Sequence, residues 1–139
     1  MATVVVLGAL DTKGEEVRFL TRQIEDRGHK VLVVDVGVLG KPAFAPFITR
    51  DEVATAAGAL LATLIADADR GRAVTAMSRG ATVVVQRMFD QGQLDAIIAM
   101  GGGAGTSVGT AAMRGLPLGI PKVMRRQASI EKDGSFRRS

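Results

Sequence analysis

Two short, continuous β-branched runs, Thr3-Val4-Val5-Val6-Leu7-Gly8 and Val31-Leu32-Val33-Val34-Asp35-Val36, flank a segment of helical periodicity. This arrangement narrows the fold more than any other feature of the chain. Neither run alternates apolar with polar residues, so each reads as a strand buried on both faces, the habit of parallel sheets. Between them, residues 15–27 place Val17, Leu20 and Ile24 at spacings of three and four with charges in the gaps, the stripe of an amphipathic helix. Glu15 and Glu16 suit the positive end of that helix and Gly28 its termination. Residues 1–36 therefore predict one βαβ unit with a right-handed crossover.

Gly37, Gly40, Pro42 and Pro46 make residues 37–50 a long loop after a strand end, a place where loops are often functional. Asp51 can cap a helix beginning near Glu52, and residues 53–70 are rich in Ala and Leu. Residues 71–90 continue in helical character, interrupted at Ser78-Arg79-Gly80 and with Gly80 and Val83-Val84-Val85 as poor helix formers within it. A third strand is expected over residues 94–100 and a helix of small residues, able to approach the sheet closely, over 107–114. Residues 118–123 read as a short fourth strand with Pro121 near its edge. Strands alternating with helices predict an α/β domain over residues 1–124, with a parallel sheet of four strands or slightly more.

The third strand runs into Gly101-Gly102-Gly103-Ala104-Gly105-Thr106-Ser107, four glycines within five positions followed by two hydroxyls. Such a turn presents backbone N–H groups unobstructed by Cβ atoms, and the next helix adds its own free donors and positive end. A phosphate is the natural guest. Glycines also serve tight βα turns that bind nothing. In parallel sheets ligands sit beyond the carboxyl ends of the strands, where the strand order reverses. With the first strand between the second and third, residues 11–14 and 101–107 would face each other across that crevice.

The first of these loops carries Asp11, Thr12 and Lys13. Lys13 is a point charge that can meet a phosphate, at a helix start where a cation is otherwise mildly unfavourable. Thr12 can donate to phosphate, and Asp11 can hold a metal-bound water; either can instead cap the helix. Asp35, near a strand end, is placed to accept from a ribose. Arg79 could reach the crevice, or be a solvated helix arginine. Thr106 and Ser107 serve equally as helix caps and phosphate donors. The first turn lacks both GxGxxG and GxxxxGK[ST], so neither standard dinucleotide nor P-loop fingerprint is present.

Composition closes other routes. Of 139 residues, 47% are hydrophobic and 23% charged, a balance that folds rather than stays disordered. With no Cys and one His, thiolate metal sites, disulfides and a Cys nucleophile are excluded, and His29 is given no catalytic role. The lack of Cys fits the cytoplasm. No apolar run reaches the roughly 18–20 residues of a membrane span, and the N-terminus carries no leader pattern. Five of the 18 basic residues fall in residues 125–139 against two acidic ones, so this segment reads as a basic, flexible tail. A net charge of +4 that rests mostly on a tail is not the signature of a nucleic-acid surface.

Five motifs in order, Leu7-Gly8-Ala9-Leu10-Asp11-Thr12-Lys13-Gly14-Glu15-Glu16, Val33-Val34-Asp35-Val36, Met77-Ser78-Arg79-Gly80-Ala81, residues 101–107 and Pro117-Leu118-Gly119-Ile120-Pro121-Lys122-Val123, resemble the N-terminal domain of the Tm-one-like ATP-binding family. That family includes relatives of the tomato inhibitor of tobamovirus RNA replication. The resemblance implies a Rossmann-like three-layer domain, ATP binding (with Mg as companion), self-association, and a full-length protein about three times this length with a second domain. Carried over by position, the nucleotide-binding residues are Asp11, Thr12, Lys13, Asp35, Arg79, Gly101, Gly102, Gly103, Gly105, Thr106 and Ser107. Gly103-Ala104 stands where relatives often have Ser-Gly. After Met124 the chain leaves the family pattern and reads as a truncated form, so no reaction is assigned. The alternative is a protein-interaction or self-association module with a vestigial nucleotide site. A hydrolase is the weakest reading, because no nucleophile–base pair stands out.

Overall fold

A computed structural model describes residues 1–101, 104–125, 128–130 and 136–138. Strands β1 (Thr3–Gly8), β2 (Lys30–Asp35), β3 (Ala96–Met100) and β4 (Lys122–Arg125) form one sheet in the order β2-β1-β3-β4. Every pairing in it is parallel, with Val5 standing between Leu32 and Ile97. The strand order reverses between β1 and β3.

The pleat sorts side chains into two cores. Val4, Val6, Val33 and Met100 face helix α1 (Gly14–Asp26) through its Val17 and Leu20. Val5, Leu7, Leu32, Val34, Ile97 and Ala99 face the other way. There they meet α2 (Arg50–Ala56), α3 (Leu61–Asp67), α4 (Arg70–Asp90) and α5 (Ala104–Arg114). The result is a three-layer, Rossmann-like α/β domain, held by aliphatic burial worth about 1.5–3 kcal/mol per fully covered side chain. Among the described residues no helix is long and apolar enough to cross a membrane.

The helical stretch expected from residue 52 onward is two helices. Thr49, not Asp51, caps the first in a reciprocal capping box with Glu52. Gly58 ends it at φ +74, a left-handed conformation that needs no Cβ, while the N–H groups of residues 57–59 bond back to the carbonyls of Ala54 and Thr55. In contrast, α4 runs unbroken through Ser78-Arg79-Gly80 and the three valines. Gly80 is buried where α4 meets α2 so closely that a Cβ would overlap the Val53 carbonyl, and Val84 and Val85 are buried in the core.

The fourth strand lies later than expected, at residues 122–125. Ile120 N–H donates to Pro117 O and closes a turn, and Pro121, having no N–H, precedes the ladder rather than joining it. Helix α5 starts earlier, at Ala104, and its Gly109 lies against Ala99 and Met124, the close approach to the sheet that its small residues predict. Beyond the sheet, β5 (Ala128–Ile130) and β6 (Phe136–Arg138) pair antiparallel.

The long loop after β2 is stitched down along its length. Ala43 N–H donates to Leu10 O, and Arg18 lies 4.9 Å over the Phe44 ring. The loop then returns along the outer edge of β2, where Phe47 and Ile48 both donate to Val33 O and Asp35 N–H donates to Ile48 O.

Candidate functional site: a cleft where the strand order reverses

A cleft of about 380 Å³ opens at the carboxyl ends of β1 and β3. Ala9, Asp11, Thr12 and Lys13 form one wall, Val36, Gly37, Val38 and Leu39 a second, and Met100 and Gly101 the floor at β3. The opposite wall comes from α3 and α4, chiefly Leu64, Ile65, Arg70, Ala73, Val74 and Met77. Apolar side chains dominate the lining, with polar groups held at two lips, as in many small-molecule sites.

Asp35 does not line this cleft. It is 1% exposed, and its Oδ1 accepts from Leu10 N–H at 3.1 Å and Gly37 N–H at 2.9 Å. The strand-end carboxylate is thus a brace tying the loop after β1 to the loop after β2, not a group turned toward a ribose. Burial pushes its pKa above the usual carboxylate value, partly offset by those two hydrogen bonds, with nearby Asp11 pushing the same way as burial and Arg50 opposing.

Asp11 is a second brace. Its Oδ2 accepts from Leu39 N–H at 2.6 Å and Gly40 N–H at 2.9 Å, and Arg50 holds the same loop through the Gly40 carbonyl. The other oxygen, Oδ1, is buried under Gly37 without a hydrogen-bond partner among the described residues. Only a residue without Cβ fits over it. This closed-off oxygen is no open ligand for magnesium, and the described residues hold no group of three His, Cys, Asp or Glu able to take a metal.

Lys13 lines the cleft at the start of α1, its N–H donating to Ala9 O at 2.7 Å. Among the described residues no side chain caps this helix, so neither Asp11 nor Thr12 takes the capping role open to it. Among the described residues nothing accepts from the Lys13 ammonium or pairs with its charge. Thr12 is exposed beside it at the cleft.

On the β3 side, Gly101 reaches the cleft while its N–H is committed to Arg125 O at 2.7 Å. A Cβ on Gly101 would crowd Thr106 Oγ1 at 2.8 Å, so the turn is tight as well as open. Gly102 and Gly103 lie outside the described residues. Gly105, Thr106 and Ser107 belong to the first turns of α5, the last two exposed and outside the cleft lining. Arg79 is exposed on α4 and also outside it; Met77, two residues earlier, is the α4 residue that lines the cleft. Sequence reading missed Leu64, Ile65, Met77 and Arg70. The first three are ordinary core-type residues at helical spacing, and Arg70 carries no motif; Gly58 was the one available sign that a separate α3 would fold over the cleft.

A Rossmann-like domain with a cleft at its topological switch point is the class these observations define. The chain belongs to UPF0261: residues 2–130 match the N-terminal domain of that uncharacterised protein family. It is 43% identical over 121 residues to a UPF0261 protein of Clostridium tetani, covering 87% of this chain and 30% of the relative. A Brucella suis member is 37% identical over 119 residues, 86% of this chain and 28% of that protein. More distantly, the tomato ToMV resistance protein Tm-1(GCR237) is 32% identical over 136 residues, 87% of this chain and 18% of its own length. The chain thus spans under a third of the length of these relatives.

Proposed function

We propose that this domain binds a nucleotide in the cleft beyond β1 and β3, its phosphates on the Thr12–Lys13 side and its base against the apolar wall of α3 and α4. The observation that carries this is Lys13: an ammonium at the mouth of a largely apolar cleft, beside an uncapped helix start, with no protein partner among the described residues. An ammonium in that position is a ready phosphate contact. Asp11 and Asp35 act at one remove, keeping the two loops in register. ATP is the nucleotide put forward because the motif resemblance implies it.

Isothermal titration of ATP with magnesium into the wild type and Lys13→Ala tests the reading. The expected outcome is micromolar binding that weakens about tenfold in the variant, or about 1.4 kcal/mol. No heat from a well-folded wild type would overturn it. Self-association would then become the working reading, with sedimentation of the folded chain as its test.

A further inference from the structure

The charges that line the cleft are not treated alike. Each carboxylate is already bound by backbone: Asp11 Oδ2 by Leu39 and Gly40, and Asp69 Oδ1 by Arg72 N–H at 3.1 Å, where it caps α4. Each cation is left open. Lys13 stands on the α1 wall, and Arg70, the first residue of α4, on the opposite wall. Among the described residues the Arg70 guanidinium has no hydrogen bond, ion pair or ring contact, whereas Arg72 is held to Asp67 at 3.0 Å. The cleft therefore offers positive charge from two sides, while Asp11 Oδ2 and Asp69 Oδ1 are engaged by backbone donors and Asp11 Oδ1 is buried under Gly37.

The chain takes an unusual path to put Arg70 there. Ala68, which also lines the cleft, ends α3 at φ 51. It is the one non-glycine residue of positive φ among those described, a conformation that strains an L side chain. The reversal at Ala68 lets α4 start at the cleft; the Asp67–Arg72 pair beside it is a solvent-exposed surface contact of small energetic weight.

We propose that Arg70 is the second anion contact of this cleft, so that the site selects a polyphosphate chain over a single phosphate. The inference rests on the nucleotide reading and deepens it. One ammonium suffices to offset much of the charge of a monophosphate. A triphosphate distributes more charge along its length, and a guanidinium on the facing wall can fork to two of its oxygens.

Titrations of ATP, AMP and inorganic triphosphate into wild type, Arg70→Ala, Arg70→Lys and Arg72→Ala test it. The wild type should bind ATP and triphosphate at least tenfold more tightly than AMP. Arg70→Ala should lose about tenfold for ATP and triphosphate and under twofold for AMP. Arg70→Lys should recover part of that loss, and Arg72→Ala, whose charge is already paired outside the lining, should match wild type. Unchanged ATP affinity in Arg70→Ala, alongside a loss in Lys13→Ala, would overturn the inference while leaving the nucleotide reading intact. A loss for ATP but not for inorganic triphosphate would also overturn it, moving Arg70 to the base. A folded wild type that binds none of the three would end both.

Discussion

At the scale of single residues, Asp35 carries a clear physical signature. Its carboxyl is raised by burial, so between its unfolded and folded pKa the native state holds more protons than the unfolded chain. Its contribution to stability is therefore fully present below the ordinary carboxylate pKa and declines as pH rises through the raised one. Asp35→Asn keeps an oxygen for Leu10 and Gly37 and buries no charge. Urea unfolding from pH 4 to 8 should show this decline in the wild type and its removal in Asp35→Asn, with equal or greater stability at neutral pH. Asp35→Ala, in contrast, leaves two buried N–H groups without an acceptor and should cost about 2–4 kcal/mol. The position of Asp35 at a strand end was legible in the sequence. Its burial was not, because that depends on a loop returning from residues 37–48 to cover it.

At the scale of elements, two short-range geometries invite opposite substitutions. Gly80 lets α4 touch the α2 backbone at Val53 O, so Gly80→Ala must push the helices apart and should destabilise by about 1–3 kcal/mol. Ala68 is the reverse case. Replacing it with glycine relieves a left-handed alanine and should raise stability by about 1 kcal/mol, where the same change inside a helix would lower it. Equilibrium denaturation of both variants checks the pair. The sequence announced β1, α1, β2 and β3 because continuous apolar runs and a three-four stripe have few other uses. The division between α2 and α3 was harder to see, since Ala- and Leu-rich sequence favours helix on either side of the break and only Gly58 marks it. The glycine turn was legible as a turn, yet α5 begins within it, because Ala104 onward can already make helical bonds.

At the scale of the whole molecule, the proposed nucleotide binding would be linked to folding through the cleft. A ligand that joins walls from β1, β2, α3 and α4 binds only the assembled domain, so ATP at 100 times its Kd should add about 2.7 kcal/mol of stability. Thermal melts with ATP should show that upward shift in the wild type and a much smaller one in the Lys13→Ala, Arg70→Ala double variant at the same nucleotide concentration.

The central place of β1 also sets a timetable. Its partner on one side, β2, follows after a single helix, but the partner on the other side arrives only with β3, and Thr3 is fastened to Asp95 across 92 residues. At bacterial or eukaryotic elongation rates of about 5–20 residues per second, that interval is roughly 5–20 s. During it the nascent chain carries Val-rich Thr3–Gly8 with one hydrogen-bonding edge unmatched, the kind of segment that seeks strands on neighbouring chains. Although β1 is made before β2 and β3, it is enclosed on its second edge only when β3 arrives, and during synthesis it is a stretch of this domain that a chaperone would shield.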